Sequence, residues 1–129
     1  MASDAPKALN QIGQSLWLDN ITRDLLDSGT LKRYIDELSV TGLTSNPSIF
    51  DHAIKNSNLY DDSIRQKRKE GKSGEDLFFE LALADLRQAA DLFRPTYAAT
   101  GGLDGWVSLE VLPTLTYAAS TCHNKESRR

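Results

Sequence analysis

Three short apolar runs in this chain each end on side chains that can move protons or hold a polar ligand. Ser15-Leu16-Trp17-Leu18 runs into Asp19 and Asn20, the run from Val40 into Thr44, Ser45 and Asn46, and the run from Trp106 carries Ser108 and Glu110. Ser108 and Glu110 are two residues apart, so on a strand both point to one face. An ionised Glu among apolar strand neighbours is costly unless it is paired or protonated, and Glu110 therefore points to function. The others also have structural explanations. Asp19 or Asn20 can cap a following helix, and Asn46, held extended by Pro47, is a good N-cap. Ser108 fits as a small core residue, and Trp17 and Trp106 are expected in the core rather than stacked on a ligand.

The elements that would carry these residues alternate. Residues 15–19 lack helical spacing and read as a buried strand, preceded by a lightly anchored polar lead-in over 1–10. From Thr22 to Leu38, apolar residues fall mostly at steps of three and four, interrupted at Ser28-Gly29, which gives two short helices or one kinked one. A second strand spans 40–44. Asn46-Pro47 starts a short helix to Lys55, and a more exposed helix runs from Leu59 to Lys69, where Lys67-Arg68-Lys69 suit the negative end of its dipole. Ser73 to Asp76 is a weak capping-box start. The long helix that follows shows Phe79, Leu83, Leu86, Ala90 and Phe93 as its stripe, widened by Leu77, Phe78 and Leu81, with Pro95 marking its exit, or one more turn to Thr100. A third strand spans 106–111 and Pro113 ends it; beyond Thr114 the periodicity fades. Strand, helix and strand in alternation imply an α/β fold of parallel βα units with right-handed crossovers. Ligands of such folds bind at the carboxyl ends of the strands, where the polar residues above lie.

Composition narrows the function classes. The chain has 129 residues, 15 Lys+Arg and 18 Asp+Glu, for a net charge of -3. That is room for one domain with a core. With no basic excess, nucleic acid is not an expected partner. No apolar run approaches a membrane span and no signal-type segment follows the start, so the expectation is a soluble cytoplasmic protein. One cysteine, Cys122, makes neither a disulfide framework nor a zinc site, and His52 and His123 lack metal-ligand spacing. Phosphate-cradling glycine motifs are missing.

Trp17-Leu18-Asp19-Asn20-Ile21-Thr22-Arg23, Gly42-Leu43-Thr44-Ser45-Asn46-Pro47-Ser48-Ile49-Phe50 and Val107-Ser108-Leu109-Glu110-Val111 together resemble transaldolase, in the N-terminal part of its longer bacterial form, over about residues 7–111. The Thr-Ser-Asn-Pro block is the most specific of the three. The resemblance implies a partial (β/α)8 TIM barrel of the class I aldolase type, with about three parallel strands and their crossover helices in this chain. It further implies transfer of a dihydroxyacetone unit from a ketose phosphate (sedoheptulose 7-phosphate or fructose 6-phosphate) to an aldose phosphate in the pentose phosphate pathway. The chemistry runs through a lysine Schiff base, with no metal or organic cofactor. By position, Asp19 resembles the acid/base that takes the C4 hydroxyl proton, and Glu110 the carboxylate that relays protons through a water. Asn46 and Ser108 resemble the groups that hydrogen-bond the dihydroxyacetone moiety, and Thr44 a support behind them. Two carboxylates on different strands can be pushed to different pKa values and so divide the acid and base work.

Two departures temper that picture. The family's Schiff-base lysine lies on a fourth strand, and none of the seven lysines here (7, 32, 55, 67, 69, 72 and 125) falls in an apolar strand run. Leu112 replaces a small polar residue, and the basic end Lys125-Glu126-Ser127-Arg128-Arg129 looks foreign to the family. The expected organisation is a barrel-like part over 1–113 and a divergent, poorly ordered tail over 114–129, from a truncated or frame-shifted reading. Such a fragment carries part of an active site, is inactive alone, and self-associates through exposed barrel edges. The alternative is a non-catalytic partial barrel that at most binds sugar phosphates weakly or serves as an interaction module.

Overall fold

A computed structural model describes residues 4–110. In chain order the elements are α1 (Ala5–Gln11), β1 (Leu16–Asp19), α2 (Arg23–Asp27), α3 (Thr30–Leu38), β2 (Val40–Ser45), α4 (Pro47–Lys55), α5 (Asp61–Lys69), α6 (Gly74–Ala99) and β3 (Trp106–Leu109). The sheet order is β1-β2-β3, and both pairings are parallel. This is the α/β arrangement expected, and it fits three consecutive strands of an aldolase-type barrel. No helix among the described residues is long and apolar enough to cross a membrane.

Register assigns the two faces of the sheet. Leu18 pairs with Leu43 and Leu43 with Val107, and all three pack in the core with Ile21, Leu26, Leu31, Phe50, Leu86 and Phe93. The alternate residues Trp17, Gly42 and Trp106 form one row on the other face, and Asp19, Thr44 and Ser108 the next. Among the described residues the helices cover the first face, and on the other only Tyr97, near the end of α6, packs against the row. Trp17 and Trp106 are accordingly 44% and 51% exposed, not in the core as expected, because no helix layer covers their face among the described residues. Trp17 lies across Gly42, where any Cβ would meet its ring. Trp106 stacks edge-on against Tyr97 at 5.5 Å and donates from Nε1 to the Gly102 carbonyl at 3.0 Å.

Several boundaries differ from the sequence reading for identifiable reasons. The lead-in contains α1, started by Pro6 at its first turn but burying none of its residues. The break at Ser28-Gly29 does separate two helices, with Gly29 left-handed at φ 76°. Ser73 has the extended backbone of an N-cap, yet its side chain takes no capping hydrogen bond. α6 runs through Pro95 to Ala99. Its buried stripe is Leu81, Ala82, Asp85, Leu86, Ala89 and Phe93, while Leu83 is 41% exposed. Leu81, Leu86 and Phe93 lie on the packed side as expected, while Leu83 and Ala90 give way there to their neighbours Ala82 and Ala89, and Asp85 joins them.

The cations at the end of α5 do more than face a dipole. Lys67 reaches Glu80 on α6 at 2.7 Å, and Lys72 reaches the other Glu80 oxygen at 2.9 Å. Hydrogen bonds from Lys67 and then Lys72 hold the Glu80 carboxyl down from an ordinary 4.5 to about 2. A carboxyl lowered in the folded state adds stability above its unfolded pKa and loses it as pH falls through the folded one. Glu80→Gln is therefore expected to shrink the stability lost between pH 4.5 and about 2. Urea unfolding at pH 7 and pH 3 measures this, and an unchanged difference between the two pH values would remove the bridge from the account.

Candidate functional site

Asp19 pairs with Thr44, and Thr44 with Ser108, so their side chains stand side by side across three strands at the carboxyl end of the sheet. With strands about 4.8 Å apart, the row spans roughly 10 Å, the length of a small sugar phosphate. The Glu110 amide still donates to the Ser45 carbonyl at 2.9 Å, which extends the ladder past β3 and sets Glu110 two residues on from Ser108 along the same face. Ser45 points the other way, is fully buried, and donates from Oγ to the Ser108 carbonyl at 2.9 Å. That bond ties β2 to β3 behind the row. Glu110 itself is exposed, so the desolvated carboxylate expected from the sequence is not what the described residues hold; its face of the sheet is bare.

The capping alternatives separate cleanly. Thr22, not Asp19 or Asn20, caps α2, with Oγ1 accepting from the Leu25 amide at 3.0 Å. Neither Asp19 nor Asn20 is therefore spent on that helix, and both are exposed. Asn46 does cap α4: its Oδ1 accepts from the Ile49 amide at 3.0 Å. That bond fixes the side chain and leaves its NH2 available as a donor. Asp19 and Asn46 share the lining of a shallow cleft of about 330 Å³ with Asn20, Thr22, Ser48 and His52. A roomier cleft of about 670 Å³ lies beyond Thr22 and His52, between α2 and the Asn56–Leu59 turn, and none of the row's side chains lines it. The row is the candidate site because Asp19 and Glu110 stand on it at the strands' carboxyl ends, whereas the Asp24 and His52 that line the larger hollow lie on helices beside the sheet.

No lysine among the described residues joins the row. Lys32 and Lys55 pair with Asp36 and Asp51 on exposed helix faces, and Lys7 and Lys69 lie on α1 and α5. Hydrogen bonds donated to Glu80 raise the pKa of Lys67 and Lys72, opposite to the direction a nucleophilic amine needs. Lys125, Cys122, His123 and the expected tail over 114–129 lie outside the described residues. No group of three or more His, Cys, Asp or Glu among the described residues is placed to hold a metal ion.

One constellation escaped the sequence reading. Arg23, four residues past Asp19, sits over the Tyr60 ring at 4.2 Å and meets Asp85 through Nε and a terminal nitrogen, each at 3.0 Å. The Tyr60 hydroxyl donates to the other Asp85 oxygen at 2.7 Å and accepts from the Arg23 amide at 3.0 Å. Tyr60 and Asp85 are buried. Burial, then the Asp85 hydrogen bond, pushes the Tyr60 hydroxyl well above its ordinary pKa; burial also pushes Asp85 upward, against the pull of Tyr60 and Arg23. The available signal was an aspartate within the apolar stripe of α6.

Comparison with known proteins bears on the whole matched length. A family model described as transaldolase/fructose-6-phosphate aldolase matches residues 16–128. A transaldolase of Thiobacillus denitrificans is 46% identical over 114 residues, which cover 88% of this chain and 32% of that protein. A transaldolase 2 of a Nostoc species is 40% identical over 121 residues, 94% of this chain and 32% of that one. A transaldolase of an Arthrobacter species is 44% identical over 109 residues, covering 84% and 29%. The chain spans about a third of the length of these curated relatives.

Proposed function

Because the chain belongs to the transaldolase/fructose-6-phosphate aldolase family, we propose that it supplies the acid/base wall of a site that transfers a dihydroxyacetone unit between sugar phosphates. The observation that carries this reading is the in-register row Asp19, Thr44 and Ser108, with Glu110 beyond it, on the bare face at the strands' carboxyl ends. A lysine amine, supplied from outside the residues described, attacks the ketose C2 carbonyl; loss of water leaves an iminium. Asp19 takes the C4 hydroxyl proton as the C3–C4 bond breaks, and the bond's electron pair moves into the iminium as an enamine. The aldose phosphate leaves. Glu110 relays protons through a water while carbinolamine and imine form; Ser108 and the Asn46 NH2 hold the dihydroxyacetone hydroxyls, with Thr44 as their support.

The reading needs no metal or organic cofactor and sets the reaction in the cytoplasmic pentose phosphate pathway. It also makes the 129 residues alone inert, and prone to self-association through the free edges of β1 and β3. The second reading, a non-catalytic sugar-phosphate-binding or interaction module, is favoured by one observation: no described lysine faces the row. One experiment separates the two. The chain is mixed with the remaining two-thirds of the Thiobacillus relative, given fructose 6-phosphate and an aldose phosphate acceptor, assayed for turnover, and then trapped with borohydride. Turnover and a mass gain on a lysine of the added portion are expected, with turnover lost on Asp19→Asn by about a hundredfold. Adduct on a lysine of this chain, or indifference to Asp19→Asn, would overturn the assigned roles.

A further inference from the structure

The constellation of Arg23, Tyr60 and Asp85 joins three elements that are remote in sequence, and it grips the chain just after the row's first residue. β1 is four residues long and pairs with β2 alone among the described strands, so Asp19, its last residue, has a ladder on one side only. The chain continues as Asn20, Ile21 and Thr22 before α2 begins. Ile21 is fully buried, but apolar burial is non-directional and does not fix the angle at which a strand end leaves the sheet. A planar guanidinium with every arm occupied does fix it.

Arg23 has that arrangement. Two of its nitrogens meet Asp85 on α6; the third donates to Ser63 Oγ at 2.9 Å and the Leu59 carbonyl at 3.3 Å; its amide donates to Tyr60. Its charge is matched by Asp85 and its donors are used within the fold, so it is not a phosphate ligand for the neighbouring cleft. We infer that Arg23, Tyr60 and Asp85 form a positioning clamp that holds the β1–α2 loop, and through it aims the Asp19 carboxylate along the polar row. The inference rests on the functional reading above for the importance of Asp19, and on the clamp's own geometry for the rest.

The test is Tyr60→Phe, which deletes one hydroxyl and keeps the ring under Arg23. In the labelled 129-residue chain, backbone order parameters over residues 19–22 are expected to fall from about 0.85 to below about 0.6. The cross-strand NOE intensity between Asp19 and Thr44, which pair in register, should weaken at least threefold, while that between Leu18 and Leu43, one step back in the same strands, stays. A role in stability alone predicts otherwise: a lower urea midpoint with order parameters and contacts of the folded chain unchanged, and that result overturns the clamp. Should Tyr60→Phe fail to fold, Arg23→Lys, which keeps the charge and loses the fork, and Ser63→Ala, which removes the shorter of one arm's two bonds, must show the same pattern in milder form; no loosening in either also overturns it. These measurements read loop geometry and not proton transfer. A wrong role for Asp19 would surface as indifferent turnover in the complementation assay, with the clamp result untouched.

Discussion

Asp85→Ala is expected to destabilise the chain by about 3–5 kcal/mol, the range for removing one partner of a buried ion pair. The pair itself is a poor net stabiliser: burial pushes the Asp85 carboxyl upward in spite of its two donors. Truncation is the costly change, because the Arg23 side chain is 13% exposed and would keep its charge with nothing opposite, and the Tyr60 hydroxyl would lose its acceptor. A surface pair gives the contrast. Asp51→Ala breaks the exposed bridge to Lys55, where a loss of about 0.5 kcal/mol or less is expected. Replacing all three clamp residues together by apolar ones of similar size should recover much of the Asp85→Ala loss. Urea midpoints with unchanged slope provide the measurement. An Asp85→Ala loss no larger than that of Asp51→Ala would show that the buried charge is solvated after all.

The elements were legible because each boundary has a local cause. Asn46-Pro47 fixes one helix start through backbone restriction and a cap, Gly29 separates α2 from α3, and the apolar runs mark the strands. α6 was misread in part for a reason that is equally local. Its core side carries Ala82, Asp85 and Ala89, and its outer side Leu83, so at those turns hydrophobicity pointed one residue away from the packed side. Trp17 and Trp106 misled in the same manner: large apolar side chains read as core, yet their position follows from register, which puts them on the face without a helix layer.

Strand ends delivered Asp19, Asn46, Ser108 and Glu110 as candidates, but not their relation to each other. That Asp19 faces Thr44 and Thr44 faces Ser108 is a matter of pairing between strands, and a one-residue slip would send each to the helix side. The clamp lay further out of reach. Its members are 37, 25 and 62 positions apart, and only the packing of α5 and α6 on the β1–α2 loop brings them together.

Gly105→Ala is the second change expected to be severe, and it acts on the far side of the same row. Gly105 has φ +89°, and a Cβ there would lie 2.5 Å from the Tyr97 backbone nitrogen and 2.8 Å from its Cα. The obstacle is the backbone of α6, which cannot swing aside as a side-chain tip can. The residue's own amide donates to the Thr41 carbonyl at 2.7 Å, so backing away breaks the bond that starts β3 beside β2. Left-handed strain of about 1–3 kcal/mol and overpacking of about 1–3 kcal/mol together put the expected loss at about 2–6 kcal/mol. Gly71→Ala is the control: φ is +86° and nothing lies within 4 Å of the added Cβ, so it carries the strain alone. The excess of Gly105→Ala over Gly71→Ala isolates the collision with α6. That excess should come with a weakened cross-strand contact between Thr44 and Ser108, since β3 begins at the next residue and carries Ser108 with it. Equal losses for the two substitutions would mean that α6 yields where it is described as firm, and that the row's third member is placed by β2 alone.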